Sequence, residues 1–217
     1  MLNDNPPESL PEFLEWLRFH TEQAWARLPE PTINDLEACG YSTWRPGTRW
    51  LLGLTDVEID VVEKNWGISF PSDYRLFLRI LHEPDRPMFR VSYHGSILPN
   101  YEGEKTVVDE HPSFFNWLTE FGAIHTALSR PVEGLVFDVF HNNLWFEDWG
   151  PRPKNENEAT RRLNAFVNDA PGLVPVLGNC YLVDADTPQG YVVLSIDQSD
   201  ITIDAIDLRS FLLDRFW

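Results

Sequence analysis

Residues Leu54–Leu78 read LTDVEIDVVEKNWGISFPSDYRLFL, two helices with a break between them. Thr55 and Glu58 stand at capping-box spacing, so the first helix starts there. Ile59, Val62 and Trp66 recur near 3.6 residues and make one apolar stripe. Gly67 follows, where a helix ends on a left-handed residue. After Pro71, Ser72 or Asp73 caps a second helix through Tyr74, Phe77, Leu78 and Leu81, which Pro84 ends.

Upstream, Phe13, Trp16, Leu17, Ala24, Trp25 and Leu28 predict an amphipathic helix over Leu10–Leu28, with charged residues between them. The LPEPT stretch breaks it, and Thr32 caps one or two further turns to Gly40. YSTWRPGTRW, residues 41–50, reads as a connector. Downstream the pattern changes to strands: MFRVSY alternates, and YVVLSI and DITIDAI flank a short polar loop. Phe114–Leu128 and Asn157–Val167 keep helical spacing, and Asp207 caps a last helix through Leu208, Phe211, Leu212 and Phe216. Helices lead, strands dominate the middle and a helix closes the chain. That order lacks regular βαβ alternation and predicts an α+β fold, with helices packed around a mostly antiparallel sheet.

GLVFDVF and LWFEDW flank His141-Asn142-Asn143. Read as strands, Val136–Phe140 and Leu144–Asp148 form a hairpin across a three-residue loop, in which asparagine tolerates the left-handed conformation. Asp138 and Asp148 then share a face while Glu147 points away. Three ligands at one point would need another register, so Asp138, His141 and Asn142 are expected to be structural hairpin residues. A metal or acid–base site built from Asp138, His141, Glu147 and Asp148 is the competing reading.

Other constellations fall short. DADTPQG, from Asp184, has the look of a calcium loop, but Pro188 takes the third ligand position and Ser195 replaces the bidentate glutamate. The chain has no GxSxG, phosphate-binding GxxxxGK[ST], GxGxxG, CxxC or HExxH. No catalytic residue, metal ligand or cofactor is expected. Cys39 and Cys180 have no ligand-like spacing and suit a reducing compartment. No basic-then-apolar leader and no run of 18 apolar residues is visible, so a cytoplasmic protein is expected.

Charge is the most informative number. Seventeen basic residues against 34 acidic give −17, a field that repels nucleic acid and anionic lipid and attracts basic partners. Asp184, Asp186, Asp197, Asp200 and Asp204 crowd the C-terminal part, a candidate anionic docking surface. Nine tryptophans and 14 phenylalanines first imply an aromatic core. Of these rings Trp145 and Trp149, with Tyr191, are candidate interface anchors.

The helix pair LTDVEIDVVEKNWGISFPSDYRLFL resembles the opening of the SMI1/KNR4 (SUKH) superfamily. RPVEGLVFDVFHNNLWFEDWGPRP, APGLVPVLGNCYLVDADTP and GYVVLSIDQSDITIDAIDLRSFLLDRF are similar to its bacterial branch, in order from about Trp44 to the C-terminus. This implies a helical extension over residues 1–43 and a SUKH-like domain over 44–217. The chain departs from the pattern at Asn179-Cys180, at Tyr191-Val192 and in DITIDAI, which lacks paired tyrosines. The resemblance implies an immunity protein, not an enzyme, that binds and neutralises a cognate basic toxin domain, often one acting on nucleic acid. With the acidic charge and the absence of an apolar span, no nucleic-acid or membrane partner is expected, and a monomer or weak homodimer is expected. An intracellular adaptor is the alternative, and a metal-dependent hydrolase at residues 138–148 the third.

Overall fold

The computed structural model describes residues 5–32, 34–35, 42–92, 107–111, 114–185 and 190–217. The elements are α1 (Leu10–Ala26), β1 (Ser42–Thr43), α2 (Asp56–Trp66), α3 (Ser72–Ile80), β2 (Met88–Ser92), β3 (Val107–His111), α4 (Phe121–His141), a 3-10 turn (Glu147–Trp149), α5 (Glu156–Asp169), β4 (Leu173–Leu177), β5 (Cys180–Asp184), β6 (Tyr191–Asp197), β7 (Asp200–Ala205) and α6 (Leu208–Phe216). The fold is α+β, as expected. Contacts group the chain into two compact units: residues 1–62, 72–116 and Phe216 in one, residues 63–71, 117–215 and Trp217 in the other.

In the first unit, α1 buries Phe13, Leu14, Trp16 and Leu17. Trp25, Trp44, Trp50 and Phe216 form an aromatic cluster with ring centroids 4.7–6.1 Å apart. The buried Trp50 Nε1–H donates to Thr21 Oγ1 at 2.8 Å, which removes the cost of burying an indole N–H. The capping box at α2 is present: Thr55 N–H donates to Glu58 Oε2 at 2.8 Å and Glu58 N–H to Thr55 Oγ1 at 3.3 Å. Thr32 and Asp35 repeat that arrangement, while the rest of the short helix expected to Gly40 lies outside the described residues, as does Cys39. Gly67 takes φ 63, and Ile68 N–H closes the helix end on Glu63 O at 3.1 Å. Helix α3 buries Tyr74, Phe77 and Leu78, then ends on His82, buried at φ 61. Burial pushes the His82 imidazole from its ordinary 6.5 down to about 4, against the pull of Glu58. β1, β2 and β3 form a three-stranded antiparallel sheet.

The second unit carries a four-stranded antiparallel meander, β4-β5-β6-β7. Tyr181 pairs with Leu194 and Val183 with Val192, so these side chains share the face toward α4. Cys180, Leu182 and Val193 fill the opposite face, all buried. The hairpin β6–β7 matches the sequence reading. β4 and β5 went unread as strands, although Gly178-Asn179 between two apolar runs is a hairpin signal.

The hairpin expected at residues 136–148 is not there. Phe121–His141 is one continuous helix, and Glu147–Trp149 is a 3-10 turn. The helical stripe continues past Leu128 through Pro131, Leu135, Asp138 and Val139, and a solidly apolar run cannot be told from a helix over seven residues. Pro131 disguised it. Lacking an N–H, Pro131 leaves the carbonyl of Ala127 without its helical donor, and Tyr181 Oη donates to that oxygen at 2.9 Å instead. The fold tolerates the proline because the sheet supplies the missing bond. Helix α4 also starts later than the spacing of Phe114–Leu128 predicts: Phe114, Phe115 and Trp117 are buried in the turn before it.

Candidate functional site

The end of α4 holds the polar residues that the sequence singled out. Asp138 is 5% exposed. Its Oδ2 accepts Ser199 N–H at 3.0 Å and its Oδ1 accepts Asn142 Nδ2–H at 2.6 Å. Those two bonds, Ser199 first, hold the carboxyl below the usual carboxylate range. Asp138 thus ties a helix end to the β6–β7 turn and does not sit in a hairpin. Asn142 caps α4, its N–H donating to Asp138 O at 3.1 Å. His141 is exposed and rests on the Phe137 ring at 4.7 Å. Glu147 and Asp148 lie exposed in the 3-10 turn. Among the described residues no group of three or more His, Cys, Asp or Glu side chains is arranged to hold a metal ion.

What Asp138 anchors is the turn Gln198-Ser199 between β6 and β7. Gln198 takes φ 57, a left-handed backbone unusual for a side-chain-bearing residue. The turn lies directly on α4 at Gly134, where an added Cβ would sit 2.7 Å from Gln198 Cα. Glycine is needed there for close approach. Two anchors, one steric and one hydrogen-bonded, therefore fix the tip of the hairpin. At that tip Asp197 and Asp200 are directly opposed and exposed.

Beside the tip runs an apolar groove of about 510 Å³. The α4-facing side of the sheet is its floor, through Leu194, Ile196 and Ile201; Leu135 of α4 and the rings of Phe146 and Trp149 wall it. Trp149 stacks on Phe166 at 5.1 Å and meets Trp145 edge-on at 5.2 Å. Trp145 Nε1–H donates to Gly150 O at 2.8 Å, and Arg152 lies over its ring. Arg152 also donates to Val139 O and Asn143 Oδ1, closing the C-terminus of α4. Phe146 and Ile201 stay 44% and 57% exposed, so the groove opens to solvent through large apolar side chains.

The other predicted residues separate. Asp184, exposed, pairs with the half-buried Tyr191 at the far end of β6 from Asp197, about 20 Å away by strand rise. Asp186 lies outside the described residues. Asp204 is neutralised locally: Arg215 reaches it at 2.5 Å, with Cys180 Sγ 3.6 Å from its carboxylate. Burial, with Asp204 next in weight, pushes the Cys180 thiol up. Of the acids and aromatics proposed, Trp149 lines this groove, and Asp197 and Asp200 stand at the hairpin tip beside it, on the other face of the sheet. Gly134, Pro131 and Tyr181, which fix α4 against the sheet beside this groove, were not among the predicted site residues. The only signal was a glycine and a proline inside an apolar run.

Comparison with family models, curated proteins and solved structures finds no match. Among the described residues, no helix is long and apolar enough to cross a membrane.

Proposed function

We propose that the chain is a binding protein of the immunity type, which neutralises a basic toxin domain by covering its nucleic-acid-binding surface and performs no chemistry itself. The observation that carries this reading is the hairpin tip. Asp197 and Asp200 face one another at a cost to the free protein, since like charges directly opposite destabilise a sheet pair. A cationic partner removes that cost on binding. The rigid anchoring by Asp138 and Gly134 means that little ordering is required when the partner arrives. The groove beside the tip, with Trp149, Phe146 and Ile201, offers the desolvated apolar centre that interfaces need. The net charge of −17 would speed encounter with a cationic surface and repel nucleic acid itself. The order of SUKH-like motifs favours the same role.

The test is functional. Proteins retained by the immobilised chain at low salt and released at high salt are isolated from the native cells. A retained protein should be basic, should damage nucleic acid, and should lose that activity when one equivalent of the chain is added. Retained proteins whose activities the chain leaves unchanged would overturn the proposal.

A further inference from the structure

Among the described residues β7 is an edge strand, paired with β6 alone. The turn before it has two residues, so Asp197 and Asp200 form the hydrogen-bonded pair that closes the hairpin, and bonded and non-bonded pairs alternate from there. Ile201 and Ile203 fall at the non-bonded positions. Their N–H and C=O groups therefore turn outward, away from β6. Their side chains are 57% and 69% exposed on the groove side of the sheet. Asp200 and Thr202 alternate with them on the other face. Natural sheets blunt their edges with proline, bulges or lysine. The opposite edge follows that rule, since β4 carries Pro175 and a register irregularity. β7 carries no proline and no lysine; its own register irregularity falls beyond Ile203, at Asp204, and its charges, Asp200 and Asp204, are acidic.

We propose that the open edge of β7 receives, as an added strand, an extended segment of the partner in which apolar residues alternate with lysine or arginine. This rests on the binding function proposed above and specifies how the partner docks. Main-chain groups of the incoming strand bond Ile201 and Ile203. Its apolar side chains cover the two isoleucines and continue into the groove bordered by Phe146 and Trp149. Its cations fall on the opposite face, beside Asp200 and within reach of Asp197. Charge decides against a second copy of this chain. Two chains of net charge −17 repel one another, and β7 carries no lysine or arginine to meet Asp200 of a second copy.

The test uses the full chain and two synthetic ten-residue peptides of identical composition. One alternates valine and lysine; the other groups its lysines at one end. Fluorescence anisotropy should show the alternating peptide bound about tenfold or more tighter, the gain from added main-chain hydrogen bonds. Ile203→Pro removes an outward N–H without removing a ladder bond, so it should fold and abolish the preference, whereas Ile203→Val should keep it. Should the proline variant not fold, an alternating peptide N-methylated at every second amide serves instead and should lose its advantage. Equal binding of both peptides by the unmodified chain overturns strand addition and leaves the acidic-surface function standing. Absence of binding by either peptide at low salt overturns both.

Discussion

Tyr181→Phe deletes one oxygen, and its cost follows from a proline four residues beyond the group that oxygen serves. Pro131 cannot donate to Ala127 O, and the Tyr181 hydroxyl does so at 2.9 Å. Tyr181 is 0% exposed, and burial raises its phenol further above its usual range, so it stays a neutral donor. Without the hydroxyl the carbonyl is left buried and unsatisfied, which costs about 1–3 kcal/mol. Pro131→Ala restores an N–H at the right place in the helix. In that background the carbonyl has a helical donor, and Tyr181→Phe should cost only the fraction of a kcal/mol lost with a redundant bond. The double-mutant cycle, read by urea unfolding of four proteins followed by circular dichroism, should return a coupling of about 1–2 kcal/mol. Effects that add within about 0.5 kcal/mol would refute the substitution of sheet donor for helical donor.

Acidification tests His82. Its pKa is lowered on folding, from 6.5 to about 4, so the unfolded chain binds the extra proton and stability falls as pH drops through that window. Between about pH 7.5 and 5 the loss should be about 2 kcal/mol in urea unfolding, and His82→Asn, which tolerates the left-handed backbone, should flatten it. The low-lying carboxyls of Asp35, Glu58 and Asp138 add to the loss only at lower pH, around and below the ordinary carboxylate range. Gly134→Ala should destabilise by about 1–3 kcal/mol in thermal melts despite alanine's better helix propensity, because its Cβ meets the Gln198 backbone; a gain in stability would contradict the anchoring. Thr21→Val should cost a similar amount by orphaning the Trp50 indole N–H, again read by melting. Cys180, buried with a raised thiol pKa, should resist maleimide in the native protein at neutral pH and react in urea, as peptide mapping will report.

The elements built from local rules were legible in the sequence. Thr55 with Glu58, Gly67, and Asp207, whose carboxylate accepts Ser210 N–H to cap α6, all act within a few residues of where they stand. The β6–β7 hairpin was legible for the same reason, since a two-residue turn and alternating strands are local. Helix α4 was not. Its proline is tolerated through Tyr181, fifty positions away, and its glycine is explained by Gln198, which no spacing links to it. The acidic cluster was legible as composition but not as geometry. Asp204 is neutralised by Arg215, and Asp184 stands at the other end of β6, so among the described residues Asp197 and Asp200 are the two of these acids that meet, at the hairpin tip. Asp138, expected in the first strand of a local hairpin, bonds an amide sixty-one positions away.

The central claim is that the acidic tip and the edge beside it form the partner surface. Its most direct test is the association rate of the purified nucleic-acid-damaging partner with the chain, measured against salt for the unmodified protein and for Asp197→Asn with Asp200→Asn. The account predicts a rate that falls steeply with salt for the unmodified chain, and a shallower slope with a lower low-salt rate for the double variant. Identical slopes and rates for the two proteins would contradict it.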